Sequence, residues 1–200
     1  MSIVKSKPLL QIIIGSTRPG RVGPSIAAWF AEQARADGQF EVEVVDLAEV
    51  NLPVFDEPHH PRLRNYTHEH TKAWSAIVDR ADAIVFVNPE YNHSVNGALK
   101  NAIDFLSQEW AHKPVGFVSY GGVSGGLRAV QVLKQVVTAL RMYPISGAVA
   151  IQMAAKQLNG QGEFVPTEAQ NVSAAGIFTE LAALTTAVTA LRDPRVEAAA

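Results

Sequence analysis

Apolar runs of strand length alternate with helical apolar stripes along almost the whole chain. Leu9 to Ile14 reads as a first strand, and the segment after it sets Ile26, Trp29, Phe30 and Ala34 on one helical face. Phe40 to Val45 alternates polar and apolar side chains, the pattern of a strand near a sheet edge. A stretch with proline and histidine from Asn51 to Asn65 predicts a long loop, and Trp74, Ile77, Val78 and Ala81 mark the next helix. The third strand, Ala83 to Val87, is unbroken apolar sequence, as expected where both faces of a parallel sheet are covered. Asn88 to Ser94 then predicts a sharp loop, and a helix from Asn96 to Asp104 buries Leu99, Ala102 and Ile103, with Leu106 just beyond.

Pro114 to Ser119 and Ile145 to Ile151 supply the fourth and fifth strands, around a helix striped with Leu127, Val130, Leu133, Val137 and Leu140. A polar loop, Gln157 to Glu163, leads to Thr167-Glu168-Ala169-Gln170, the pattern of a capping box. Ile177, Leu181, Leu184, Val188 and Leu191 form the stripe of that last helix. Five strands alternating with five helices predict an α/β fold, with right-handed parallel crossovers and helices on both sheet faces. No second core or internal repeat is visible, so residues 1–200 read as one domain, with 153–166 a loop and 167–192 a C-terminal helix. The alanines at the end are expected to fray.

Composition narrows the function more than the fold. Two hundred residues, 48% hydrophobic and 18% charged, suit a single core. A net charge of −2 argues against nucleic acid or an anionic membrane surface as partner. The absence of cysteine removes disulfides, thiolate metal sites and a cysteine nucleophile. The apolar runs are strand-sized, short of the ~20 residues of a membrane span. The first residues carry two lysines and no secretory apolar core, so a cytoplasmic protein is expected.

In a parallel sheet the loops after strands one, three and four share one edge, where α/β proteins bind ligands. The first is Gly15-Ser16-Thr17-Arg18-Pro19-Gly20-Arg21-Val22-Gly23-Pro24-Ser25, running into a helix. Free amides at such a helix start attract anions, and Arg18 and Arg21 add charge-assisted donors. It is not a Walker A loop, because Arg21-Val22 stand where Lys and Ser or Thr belong. Nor is it the dinucleotide fingerprint, because Thr17 takes the place of the middle glycine. The third loop, Ser119-Tyr120-Gly121-Gly122-Val123-Ser124-Gly125-Gly126, holds four glycines in six residues and admits a ligand close to the backbone.

Gly15-Ser16-Thr17-Arg18, then Pro89-Glu90-Tyr91-Asn92-His93-Ser94 with Leu99-Lys100-Asn101-Ala102-Ile103-Asp104, then Ser119-Tyr120-Gly121-Gly122 resemble, in this order and spacing, the NADPH-dependent FMN reductase family. That group includes quinone, azo and chromate reductases, and the resemblance runs to about residue 150. It implies a flavodoxin-like three-layer sandwich, a five-stranded parallel sheet of order 2-1-3-4-5 with one FMN at its edge. By the same resemblance Ser16, Arg18 and Ser25 hold the FMN phosphate with Arg21 as helper. Pro89, Glu90, Tyr91 and Asn92 border the ring, and Ser119, Tyr120, Gly121 and Gly122 line its other margin. The implied reaction passes hydride from NADPH or NADH through FMN to a quinone-like or other small acceptor, in ping-pong order. The implied assembly is a homodimer or homotetramer, with the helix around Leu99 to Trp110 as a contact.

Such a reaction asks the protein for geometry and electrostatics, so no catalytic side chain is assigned. Tyr91 and Trp110 are the aromatic candidates for walls of a shared reductant and acceptor site. Glu90 reads as a solvated carboxylate or helix-capping partner. The pairs His59-His60 and His68-Glu69-His70 read as solvated loop histidines, and no metal site is assigned. The alternative function is a flavodoxin-type electron carrier, against which a charge of −2 gives little steering toward partners.

Overall fold

The structure is a computed structural model and describes residues 7–192. The N-terminal residues read for a secretory core, up to residue 6, and the terminal alanines lie outside the described residues. Six strands form along the chain: β1 (Leu9–Ile14), β2 (Glu41–Asp46), β3 (Ala83–Tyr91), β4 (Ser94–Val95), β5 (Pro114–Gly121) and β6 (Tyr143–Gln152). Between and after them lie α1 (Gly23–Asp37), α2 (Leu47–Val50), α3 (Glu69–Asp79), α4 (Gly97–Asp104), α5 (Leu127–Ala139) and α6 (Glu168–Val188). The sheet order is β2-β1-β3-β5-β6, with every pair along that path parallel. Counted without the two-residue β4, this is the expected 2-1-3-4-5 order, the flavodoxin-like arrangement.

The unbroken apolar strands are explained by a core on each side of the sheet. Ile12, Ile14, Val85 and Val87 pack with Phe30 of α1 and Ile177, Phe178 and Leu181 of α6. Their neighbours Ile13, Ile84, Phe86 and Phe117 point the other way, into Trp74, Leu133 and Val137 of the helices opposite. Period-two alternation therefore reads as continuous hydrophobicity when both faces are buried. At the edge, β2 keeps half-exposed residues, as its alternating pattern predicts.

Four expectations change. First, β3 does not stop at Val87. Residues through Pro89 stay in register with β5, and Glu90 and Tyr91 pair antiparallel with Val95 and Ser94. What looked like a loop is a hairpin with a two-residue turn at Asn92 and His93, both at positive φ (50° and 65°), the geometry that suits the right-handed twist of paired strands. Second, β6 begins at Tyr143 and includes Pro144, which an edge strand tolerates because a missing N–H there costs no ladder bond.

Third, Trp110 lines no site. It is fully buried against Trp74 and Phe86, and its indole donates to the Ile103 carbonyl at 3.0 Å. A side chain of that size satisfies its one polar atom and fills the core instead. Fourth, residues 153–166 are more ordered than a loop, holding a 3₁₀ turn at Ala154–Gln157 and a bridge between Leu158 and Phe164.

The capping box forms as read: the Thr167 hydroxyl accepts from the Gln170 amide, and the Gln170 side chain accepts from the Thr167 amide at 2.7 Å. The helical stretch Glu168–Arg192 that follows is long and apolar enough to cross a membrane, with a mean hydropathy of 1.5. No single apolar run announced it, because its alanines and larger apolar residues are interrupted by threonines and other polar residues. It lies on the sheet through Ala174, Ile177, Phe178 and Leu181.

At the amino edge of the sheet, charges are tied to the backbone. Asp82 accepts from the Leu9 amide at 2.7 Å and from the Arg192 guanidinium at 2.9 Å. Arg192 also donates to the His112 carbonyl at 3.1 Å. Lys113 is buried, and its ammonium donates to the carbonyls of Val78 and Asp79 at the end of α3, at 2.5 and 3.1 Å. Burial, reinforced by the nearby Arg192 charge, lowers the Lys113 amine to about 7.

Candidate active site at the carboxyl edge

Three loops and one turn meet above the carboxyl ends of β1, β3, β5 and β6, around a cavity of about 370 Å³. Its lining brings together Arg18, Arg21 and Val22, then Pro89, Glu90 and Tyr91, then Tyr120, Gly121 and Gly122. The turn from Met153 to Lys156 closes the far side. Eight of the twelve residues expected from sequence lie on this surface. Ser16, Ser25, Asn92 and Ser119 do not.

Those four have other partners. The Ser16 side chain is buried, and its hydroxyl accepts from the Tyr120 hydroxyl at 2.9 Å. Gly23 leaves room for that bond, since a Cβ there would lie 2.5 Å from the Ser16 hydroxyl and 2.7 Å from that of Tyr120. Ser25 accepts from the Phe164 amide at 2.6 Å, tying α1 to the C-terminal segment, and Trp29 of the same helix donates to Asn171 at 3.0 Å. Asn92 sits in the exposed hairpin turn. Ser119 is buried and donates to the Gly125 carbonyl at 2.9 Å.

The two arginines differ in what holds them. Arg21 makes a two-pronged ion pair with Asp46 at the end of β2, both contacts at 2.6 Å, and donates to the Ser16 carbonyl at 2.6 Å. The hydrogen bonds to Asp46 raise its pKa further, and it fixes the first loop to the sheet. Arg18 is exposed and has no carboxylate partner among the described residues, its guanidinium touching only the Pro19 carbonyl at 3.3 Å. Beside it α1 starts without a side-chain cap and without an acidic residue in its first turn. An unpaired guanidinium and an uncapped helix start, in which Pro24 carries no N–H, therefore lie close together in the chain, and such groups attract anions.

Glu90 points away from that place. It accepts from the Arg128 backbone at 3.0 Å and its guanidinium at 2.9 Å, capping the start of α5. Burial opposes its ionisation, but bonds from Ser124 and Arg128 outweigh it and hold the carboxyl below its ordinary value. The helix-capping role read from sequence is the one observed. Burial pushes the Tyr120 hydroxyl up to about 12, against the opposing effects of Ser16 and the two arginines. Apart from Lys156, the remaining walls are mainly apolar: Val22, Pro89, Met153, Ala154 and the ring of Tyr91, which is 37% exposed. Among the described residues no three His, Asp or Glu side chains form a group that could hold a metal. His68 and His70 stack on each other, and His70 pairs with Asp56 at 3.0 Å.

The family model described as NADPH-dependent FMN reductase matches residues 8–156, three quarters of the chain and all of the cavity lining. The chain belongs to that family. It is an oxidoreductase that works with FMN and a nicotinamide nucleotide. A curated NAD(P)H-dependent FMN reductase of Schizosaccharomyces pombe is 44% identical over 142 residues, 70% of each chain. A quinone reductase of Pseudomonas putida is 31% identical over 137 residues, 66% of this chain and 70% of its own. The solved flavoenzyme NAD(P)H:(acceptor) oxidoreductase of Paracoccus denitrificans shares the fold, with a TM-score of 0.71 over 90% of this chain and 98% of its own at 21% identity.

The residues of this reductase fit the cofactor. The cavity supplies the unpaired Arg18, mainly apolar walls, and at Gly122 a backbone with open space where a side chain would stand. Two features of the reductase were not read from sequence. Asp46 closes the second strand with a lone charge after an alternating run, which gives no hint of its partner 25 residues earlier. Met153 to Lys156 follows the fifth parallel strand, so the topology alone places it at the same edge as the other three loops.

Proposed function

We propose that the cavity holds FMN with its phosphate against Arg18 and the first turn of α1. The ring would lie between the Pro89–Tyr91 hairpin and the Tyr120–Gly122 loop, and NAD(P)H and a quinone-like acceptor would take turns at the exposed Tyr91 wall. The observation that carries this reading is the unpaired Arg18 beside an uncapped helix start, on a cavity with mainly apolar walls. FMN, when bound, accepts a hydride and passes its electrons onward. The chain's part is to bind and orient. Arg18 and the α1 amides neutralise the phosphate, and Arg21 holds their loop on Asp46. Pro89, Tyr91, Val22 and Met153 keep water from the ring faces they cover. Orientation of this kind is worth roughly 7–11 kcal/mol when reacting atoms are held about 3–3.5 Å apart.

A half-exposed aromatic wall supports alternating visits by two partners, because a sealed site would admit neither in turn. The exposed apolar residues Val123, Leu127 and Met153, the last on the cavity wall, suit burial by a second copy and support a homodimer or homotetramer. A cysteine-free chain that uses a nicotinamide nucleotide suits the cytoplasm. The test is reconstitution with FMN, followed by NADPH oxidation with and without a quinone. A yellow protein that oxidises NADPH faster with quinone is the expected result. A protein with no FMN affinity overturns the reading, and sedimentation as a monomer at working concentration overturns the assembly.

A further inference from the structure

The turn from Met153 to Lys156 lines the cavity and carries its only lysine among the described residues. It is held firmly. The Met153 amide donates to the Gly122 carbonyl at 3.1 Å, and the Lys156 amide to the Met153 carbonyl at 2.8 Å. Gln157 reaches back to the Gln152 carbonyl at 3.0 Å, and Ala154 is buried in the core. Met153 itself sits at φ 49°, a left-handed conformation a methionine adopts only where its surroundings hold it, and it turns the chain back over the cavity.

The result is a lysine presented to the cavity from a braced turn. Lys156 is exposed and makes no ion pair among the described residues. The one carboxylate on the cavity, Glu90, is committed to Arg128 and the start of α5. Arg21 is neutralised by Asp46. Two uncompensated cations therefore remain on the lining, Arg18 and Lys156. The strands they follow, β1 and β6, are three apart in the sheet, about 14 Å at ~4.8 Å per strand. A single phosphate seated on Arg18 and the α1 amides leaves Lys156 facing the slot without an anion.

We propose that Lys156 binds a phosphate group of the nicotinamide nucleotide and so sets the affinity for the reductant. The inference rests on the function proposed above, since it assumes that FMN occupies the Arg18 end. The reductant carries a diphosphate, and NADPH a further 2′-phosphate, so it brings the anionic charge that the Lys156 end lacks. The geometry also explains why the cation is exposed: the reductant must leave after each visit, and an exposed ion pair is weak enough to break.

The test uses the FMN-loaded protein and the unreactive nucleotides NADP⁺ and NAD⁺, titrated by calorimetry, with FMN affinity measured separately. Lys156→Gln should raise the Kd for NADP⁺ about three- to tenfold while leaving that for FMN unchanged. Lys156→Arg should restore most of the loss. Raising ionic strength from 50 to 200 mM should weaken NADP⁺ binding more in the wild type than in Lys156→Gln. Loss for NADP⁺ alone assigns the 2′-phosphate, and equal loss for NAD⁺ assigns the diphosphate; both support the proposal. Unchanged Kd values for both nucleotides overturn it, as does a loss confined to FMN. If the wild-type protein binds no FMN, it is the proposed function that fails.

Discussion

The two ends of the sheet use similar residues to opposite purposes. At the amino edge Lys113, Asp82 and Arg192 are tied to backbone carbonyls, a backbone amide and each other. At the carboxyl edge Arg18 and Lys156 stand on a cavity wall without an acidic partner among the described residues. Charge at the first edge closes the fold, because helix ends and strand ends there would otherwise leave polar groups unpaired. Charge at the second edge is left over after the fold has closed. Arg21 and Glu90 show how the two uses mix at one place: both line the cavity, and both are neutralised by the protein itself. Unpaired charge on a rigid cavity, more than charge as such, separates what binds from what builds.

Mutations test that separation. The largest effect is expected for Arg18→Ala, which should weaken FMN binding about ten- to hundredfold and leave the melting temperature of the FMN-free protein unchanged. Fluorescence titration with FMN, alongside calorimetric melting, reads both. Gly23→Ala should lower both quantities. Its Cβ would press on the Ser16 and Tyr120 hydroxyls, costing about 1–3 kcal/mol of stability and moving the phosphate loop. Asp82→Ala should be the mirror image of Arg18→Ala, losing about 2 kcal/mol in denaturant unfolding with FMN affinity intact.

Lys113 gives a pH signature. Its amine is lowered to about 7 in the folded protein from an ordinary value of 10.5, so the unfolded chain binds more protons between those values. Stability should therefore rise with pH from about 7 to about 10.5, and Lys113→Met should flatten that rise. Melting at pH 7, 8 and 9 measures it, and an unchanged slope in the variant would remove Lys113 as the cause. The smallest effect belongs to Glu90→Gln, about 1 kcal/mol at neutral pH through the start of α5. Because the folded carboxyl lies below its ordinary value, its contribution is present above about pH 4.5 and lost as pH falls through the folded value. The variant should show a shallower acid limb in a pH series of unfolding curves.

Much of the fold was legible because burial on both sheet faces leaves a plain mark: Ile12 to Ile14 and Ala83 to Val87 are apolar without interruption. The hairpin was not, because Asn88, Glu90 and Tyr91 carry polar atoms and only pairing with Ser94 and Val95 makes them strand. Trp110 misled because a tryptophan at a helix end reads equally as wall or core, and only its neighbours Trp74 and Phe86 decide. At the site, the loops could be found from strand order, and Arg18 from the helix that follows it. The bonds that Ser16 and Ser25 accept could not, because their donors, the Tyr120 hydroxyl and the Phe164 amide, are more than a hundred residues away.

The bond from Phe164 to Ser25, and the one from Trp29 to Asn171 spanning 142 positions, bear on the timing of assembly. A ribosome makes α1 early and α6 last. The helix beside the cavity therefore emerges with the strands it packs on, but long before the partners of its outer side, Phe164, Asn171 and Phe178. A ribosome stalled short of residue 164 thus carries a first loop whose helix still lacks the two bonds that tie it to the C-terminal segment.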